Sequence, residues 1–271
     1  MGKYNEKLDS IFKEWIEKSE KNGEARENYG DQKIIFTYDG LMEKPDSNVD
    51  VEKDWEKDNI RVMFLLKDQP SKDTNDARKW LKDYPDDDEK GTKRKARNRD
   101  LKPKFIHNIA NLFYGIYHSR IGNVVSFESL DKEKVKNTFL TKPFAFVECK
   151  KQGGETSISD DKLKQYLNNK DYAPLLKEEI KVLNPNVIVC TNKNIYKFII
   201  DMYGVDNDSS KIPDPDHKHN SIRIRPEKNG KSKLIVLLTY HPSAIQSYKT
   251  FFEGAMDHYR AFLNSGDAFD L

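Results

Sequence analysis

Apolar residues recur along the chain with two periods. Near the amino end Tyr4, Leu8, Ile11, Phe12, Trp15 and Ile16 fall at helical spacing, which predicts an amphipathic helix. A short strand is expected at 33–38, closed by the turn pair Asp39-Gly40. Four stronger strands are predicted at 61–66, 144–149, 187–191 and 234–240. Each is a short apolar run without clean alternation, the pattern of strands buried on both faces. Between them, 75–83, 104–118, 160–169, 172–183 and 193–203 read as helices. This succession predicts an α/β fold, a three-layer sandwich with a central parallel four-stranded sheet. Residues 84–103 and 206–233 break the pattern and read as surface insertions, so residues 1–271 are expected to form one domain.

In such sheets ligands bind beyond the carboxyl ends of the strands. Those ends read KDQPS (67–71), KKQGGETS (150–157), TNKN (191–194) and YHPSA (240–244). All four are polar and loop-forming. Pro242 stops the last strand near His241, so a histidine stands at the rim of the sheet.

Composition works mainly by exclusion. Charged residues make up 34% of the chain, but the net charge is only +2, which neither argues for a nucleic-acid partner nor excludes one. The charges are segregated: 85–89 reads PDDDE, and 90–104 holds eight Lys or Arg. That tract is either a solvated loop or an arm that would bring Lys93, Arg94, Lys95, Arg97 and Arg99 to DNA phosphates. Cys149 and Cys190 are too few for a four-thiolate metal site, and a disulfide framework is not expected. No apolar stretch is long enough to span a membrane, and the amino end lacks a signal-peptide apolar segment, so a cytoplasmic location is expected. The chain contains no GxGxxG after a strand, no GxxxxGK[ST] and no GxSxG. His217 and His219 lack a third ligand and read as surface loop rather than a metal site.

The stretch TYHPSAIQSYKTFF (239–252) resembles the second motif of the uracil-DNA glycosylase superfamily, His-Pro-Ser-x-Leu followed by Tyr, a basic residue and Phe-Phe. His241, Pro242, Ser243, Ile245, Tyr248, Lys249, Phe251 and Phe252 fit it. VMFLLKDQPS resembles the first motif, a strand ending in Gly-x-x-Pro, with Lys67 at the glycine position. FAFVECKK resembles the strand that carries the base-reading Asn, and LNPNVIVCTN the strand after it. The whole pattern is most similar to bacterial members with LLK[DE] in the first motif. This resemblance implies a monomeric DNA glycosylase, needing no metal or organic cofactor, that flips a nucleotide out of DNA and hydrolyses its glycosidic bond. It also implies that His241 donates to the base O2 and that Ile245 wedges into the vacated stack. Lys67, Lys150, Lys151 and Ser243 would hold phosphates, and Tyr38 is the candidate ring to stack on the base.

Three departures bear on chemistry. Gln69 stands where the superfamily places its water-activating Asp. Asp68, one place earlier, is the loop's only carboxylate and is preferred for the water, with a plain turn or capping role as the alternative. Glu148 stands at or next to the base-reading Asn. If ionised it only accepts, which mismatches uracil O4 and suits a cytosine amino group. Ser71 replaces the Tyr that screens C5 substituents and leaves room there. Together these imply excision of a C5-modified cytosine, hydroxymethyl or glycosylated as in some phage DNA, and an anti-phage role. A uracil or damaged-base repair glycosylase and a catalytically silent DNA-binding module are the alternatives.

Overall fold

The computed structural model describes residues 3–24, 34–69, 71, 73–154, 157–204, 218–224, 232–266 and 268–269. Helix α1 (Lys3–Lys21) is followed by the two-residue strands β1 (Thr37–Tyr38) and β2 (Gly40–Leu41), then by α2 (Val51–Lys57). Strand β3 (Val62–Asp68) leads through β4 (Asn75–Asp76) to helices α3 (Glu89–Arg99), α4 (Lys104–His118) and α5 (Lys132–Thr141). The second half runs β5 (Ala145–Lys150), α6 (Asp160–Leu167), α7 (Ala173–Leu183), β6 (Val187–Cys190) and α8 (Lys193–Tyr203). It closes with β7 (Asn220–Ile224), β8 (Leu234–Leu238) and α9 (Tyr248–Leu263). Many helices start on a side-chain cap: Asp50, Asp88, Asp131, Ser159, Asn192 and Ser247 each accept a first-turn backbone N–H.

The main sheet is six-stranded and mixed, in the order β2-β5-β3-β6-β8-β7. Strands β5, β3, β6 and β8 run parallel, while β2 and β7 pair antiparallel at the two edges. Parallel strands need cover on both faces. Met63, Leu65, Val147, Ile188 and Val236 pack with Phe12, Trp15, Ile180 and Ile199 on one side. Val62, Phe64, Phe146, Val189 and Leu237 pack with Ile109, Phe113, Phe252 and Tyr259 on the other. A Cβ on Gly115 would lie 2.7 Å from the Phe252 ring, so only glycine lets α4 and α9 approach this closely. Among the described residues, no helix is long and apolar enough to cross a membrane.

Three expectations require correction. The stretch 75–83 is not a helix: Asn75 and Asp76 pair in parallel with β1, and Asp76 caps a single 3-10 turn, Ala77–Lys79. Its carboxylate binds both the Arg78 backbone N–H and the guanidinium, a local bond that competes with helix. The stretch 84–103, read as a surface insertion with a solvated loop as one reading of its basic part, holds a helix, because Asp88 caps α3 within it. Part of 206–233 belongs to the sheet: Ile222 and Ile224 turn inward along β7 against β8. The rest of that segment up to 217 lies outside the described residues, His217 included.

Candidate active site

Four parallel strands bring their carboxyl ends to one edge of the sheet, and His241 leaves β8 there. The segment around it is fastened from α4. Lys104 Nζ donates to the carbonyls of Ala244 and Gln246 at 2.7 and 2.9 Å, and Asn108 Nδ2 donates to the Pro242 carbonyl at 2.7 Å. Ser247 then caps α9 by accepting the Thr250 N–H at 2.9 Å. Ile245, between these anchors, is 98% exposed, and Ser243 is exposed beside it. His241 Nδ1 accepts the Ser243 N–H at 3.2 Å, which leaves the imidazole proton on Nε2. Burial, aided by the Lys67 ammonium and opposed by Asp68, holds its pKa below the ordinary 6.5. The ring is therefore neutral at neutral pH, with one donor.

The end of β3 lies at the same edge of the sheet, and its Lys67 and Asp68 charges both act on this histidine. Lys67 pairs with Asp160 at 3.1 Å. Asp68 is half-buried, and its two oxygens accept the Ser157 hydroxyl at 2.8 Å and the Ile158 N–H at 3.0 Å. Gln69 Oε1 accepts Asn75 Nδ2 at 2.7 Å, which fixes its amide. Ser71 bridges to Gly154, and its hydroxyl donates to the Asp73 carbonyl at 2.6 Å. A Cβ on Gly153 would fall 2.8 Å from the Ser71 carbonyl oxygen and 2.3 Å from Ile35, so Gly153 lets these two loops touch.

Glu148 lies opposite Leu66 in the sheet register, on the face of β5 that carries Phe144 and Phe146. The Phe146 ring meets Trp80 at 5.9 Å and Phe105 at 6.1 Å, and Phe105 in turn meets His241 at 5.9 Å. Glu148 is only 3% exposed. Its backbone N–H donates to Asp39 Oδ2 at 2.6 Å, and among the described residues its Oε2 has no hydrogen-bond partner. Burial, then the Asp39 charge, with Asp68 adding and Lys151 opposing, push its pKa up to about 8. The condition on which Glu148 would only accept, its ionisation, is thus disfavoured near neutral pH, where the carboxylic acid has one donor and one acceptor.

Several expected DNA contacts are elsewhere engaged. Lys151 cannot reach a phosphate: it is fully buried, with its ammonium on Asp39 at 2.5 Å and Glu179 at 2.9 Å. Lys95 is buried against Asp87, and Arg99 is held by Asp83 at 2.9 Å and the Leu81 carbonyl at 3.0 Å. Asp87 of the acidic run and Asp83 just before it draw these two cations inward. Lys93 is exposed beside Glu89, and Arg94 and Arg97 are exposed on α3. Half-buried Lys150 donates to the Gln152 carbonyl. Tyr38 packs on Phe12 and Phe36 in the layer that holds α1, across the sheet from Phe105 and His241, so it does not share their cluster. Among the described residues no group of three or more His, Cys, Asp or Glu is placed to hold a metal, and His219 lies edge-on to Tyr240 at 4.9 Å.

Sequence reasoning missed Trp80, Phe105, Lys104, Asn108 and Asp39. Phe105 and Asn108 had a usable signal, since both lie in the first turns of the predicted 104–118 helix. Asp39 had none, because a turn pair does not announce a buried acid.

A search of curated proteins finds no match to the chain. The profile of the uracil DNA glycosylase superfamily matches residues 93–264, more than half of the chain, including β5, β8 and His241. The 67–71 loop precedes the matched segment but is joined to it through the Asp68–Ser157 and Ser71–Gly154 contacts. A neutral histidine after the last parallel strand thus sits within the matched segment, and the chain belongs to the uracil-DNA glycosylase superfamily.

Proposed function

We propose that this chain is a DNA glycosylase, acting as one unit, that hydrolyses the N-glycosidic bond of a nucleotide flipped out of DNA. The observation that carries the reading is the His241 ring, with its proton on Nε2, within the electrostatic influence of Asp68 and in contact with Phe105 of the Phe105–Phe146–Trp80 group. As the bond breaks, its electron pair passes to the base, and His241 Nε2–H donates to the base O2 where negative charge gathers. Asp68 is oriented by Ser157 and Ile158, yet a carboxylate has about four acceptor positions and these two bonds leave room for a water. That water adds to the sugar carbon and gives its proton to Asp68. Gln69, oriented by Asn75, is the neighbouring group able to position the same water. Half-buried Trp80 and Phe105 replace Tyr38 as candidate rings to stack on the base. Ile245 fills the space the base leaves. Ser243, Lys67, Lys150 and the exposed Lys93, Arg94 and Arg97 hold phosphates.

Ser71 leaves the space beside C5 open. A C5-modified cytosine foreign to the host is therefore the favoured target, and its removal from phage DNA would spare the cell's own genome. The neutral Glu148 also admits a second reading, uracil, because a carboxylic acid can accept from N3–H and donate to O4. Duplexes carrying uracil, cytosine, 5-hydroxymethylcytosine or glycosylated cytosine distinguish the readings by alkali-labile abasic sites. Excision of a substituted cytosine in preference to uracil supports the first, and the reverse order supports repair. Tight binding without any abasic site would leave a silent DNA-binding module.

A further inference from the structure

Behind the base-facing end of β5 the chain buries more acid than base. Asp39, Glu148 and Glu179 are all buried, and Lys151 is the ammonium placed among them. Full ionisation would leave excess negative charge in the interior, which is strongly disfavoured. An ammonium has three protons to donate. Those of Lys151 go to Asp39 Oδ1, Asp39 Oδ2 and Glu179 Oε1. Asp39 completes its own bonding with the Glu148 backbone N–H. No lysine proton remains for the Glu148 side chain, whose buried Oε2 lacks a partner among the described residues.

Building on the glycosylase reading, we propose that the Asp39–Lys151–Glu179 cluster holds Glu148 as a carboxylic acid whose hydroxyl and carbonyl together read the N3–C4 edge of the flipped pyrimidine. Asp39, Lys151 and Glu179 are positioning residues; Glu148 meets the base. The acid donates to N3 of a cytosine and accepts from its amino group, or accepts from N3–H of a uracil and donates to O4. The carboxylate lacks the donor and opposes an acceptor in both bases. One proton therefore sets base reading, and its loss switches reading off. The charged groups acting on Glu148 are Asp39 between β1 and β2, Asp68 on β3 and Lys151 after β5, with Glu179 of α7 beyond the lysine. Burial favours the proton most, the two aspartates add to it and Lys151 opposes it.

Two measurements on the full chain test this. Infrared difference spectra between wild type and Glu148→Gln, without DNA, are expected to show a protonated-carboxyl band at neutral pH that fades as pH rises through about 8. Single-turnover excision on the preferred duplex is expected to fall about tenfold per pH unit above that point. Glu148→Gln has no proton to lose and should lack this alkaline limb. Asp39→Asn still accepts the Glu148 N–H but removes a charge that favours the proton, so its limb should move to lower pH. Absence of the band at neutral pH, or an alkaline limb unmoved in both variants, overturns the proton assignment. A band with no excision from any duplex overturns the glycosylase reading, and the base contact with it.

Discussion

At the scale of single residues, the decisive feature is which hydrogen-bonding capacities are already used. His241 Nδ1 is engaged by its own loop, so its one proton is held on Nε2 and is available to a leaving base. Asp68 is oriented by two bonds and remains the carboxylate of the first loop, while the Gln69 amide is fixed by Asn75. Asp68→Asn keeps one acceptor oxygen for the Ile158 N–H, and its amide N–H can donate to the Ser157 hydroxyl, but it cannot take a proton. It is expected to slow excision by roughly 10²–10³-fold, within the range of a lost general base, while leaving DNA affinity intact. A fully active Asp68→Asn in single-turnover assays would transfer water handling to Gln69. His241 and Asp68 were legible in the sequence because a proline-terminated strand and a lone loop carboxylate are local signals. The protonation of Glu148 was not, since it arises first from burial in the folded core and then from the charge of Asp39, 109 residues away in sequence. Lys151 was misread for the same reason: beside Lys150 it looks like a second surface cation, and only the fold encloses it between Asp39 and Glu179.

At the scale of elements, α4 acts as a clamp on the histidine loop through Lys104 and Asn108. Asn108→Leu leaves the buried Pro242 carbonyl without its donor. It should cost about 1–3 kcal/mol in denaturant unfolding, the range for an unsatisfied buried group, and slow excision by misplacing His241. An unchanged stability would mean that the loop holds itself. Helix α3 is a narrower basic surface than its sequence suggests, because Asp87 and Asp83 occupy Lys95 and Arg99. Neutralising Arg94 and Arg97 should therefore reduce the salt dependence of duplex binding by about one unit per lost phosphate contact, whereas neutralising Arg99 should not. Equal effects from all three would place Arg99 on the DNA as well. The 104–118 helix was legible to the residue, since an apolar stripe of that length is unambiguous. The 75–83 segment deceived because Asn75 and Asp76 take a strand partner and a cap that periodicity does not report.

At the scale of the whole molecule, a buried acid leaves a thermodynamic trace. The pKa of Glu148 is raised from about 4.3 in an unfolded chain to about 8 in the fold. Between these values the unfolded state holds fewer protons, so this group's contribution to stability is full at the lower limit and declines as pH rises to the upper one. The slope approaches ~1.4 kcal/mol per pH unit. Unfolding of wild type and Glu148→Gln across that window should give a stability difference that shrinks, then changes sign, in the direction disfavouring wild type as pH rises. A pH-independent difference would mean that Glu148 is ionised in the fold. The alternation of strands and helices was readable from apolar runs, but the edges β2 and β7 were not, because one is two residues long and the other is broken by polar positions.

The most direct test compares base release by wild type and His241→Ala on duplexes carrying a single uracil, 5-hydroxymethylcytosine or glycosylated cytosine, under single-turnover conditions with binding measured in parallel. Wild type is expected to leave alkali-labile abasic sites on at least one of them. His241→Ala is expected to bind that duplex with similar affinity and to release its base roughly 10²–10³-fold more slowly, the scale of one lost donor to developing charge. Equal release by the two proteins, or no release by wild type from any of the duplexes, would contradict the assignment of His241 and the glycosylase function built on it.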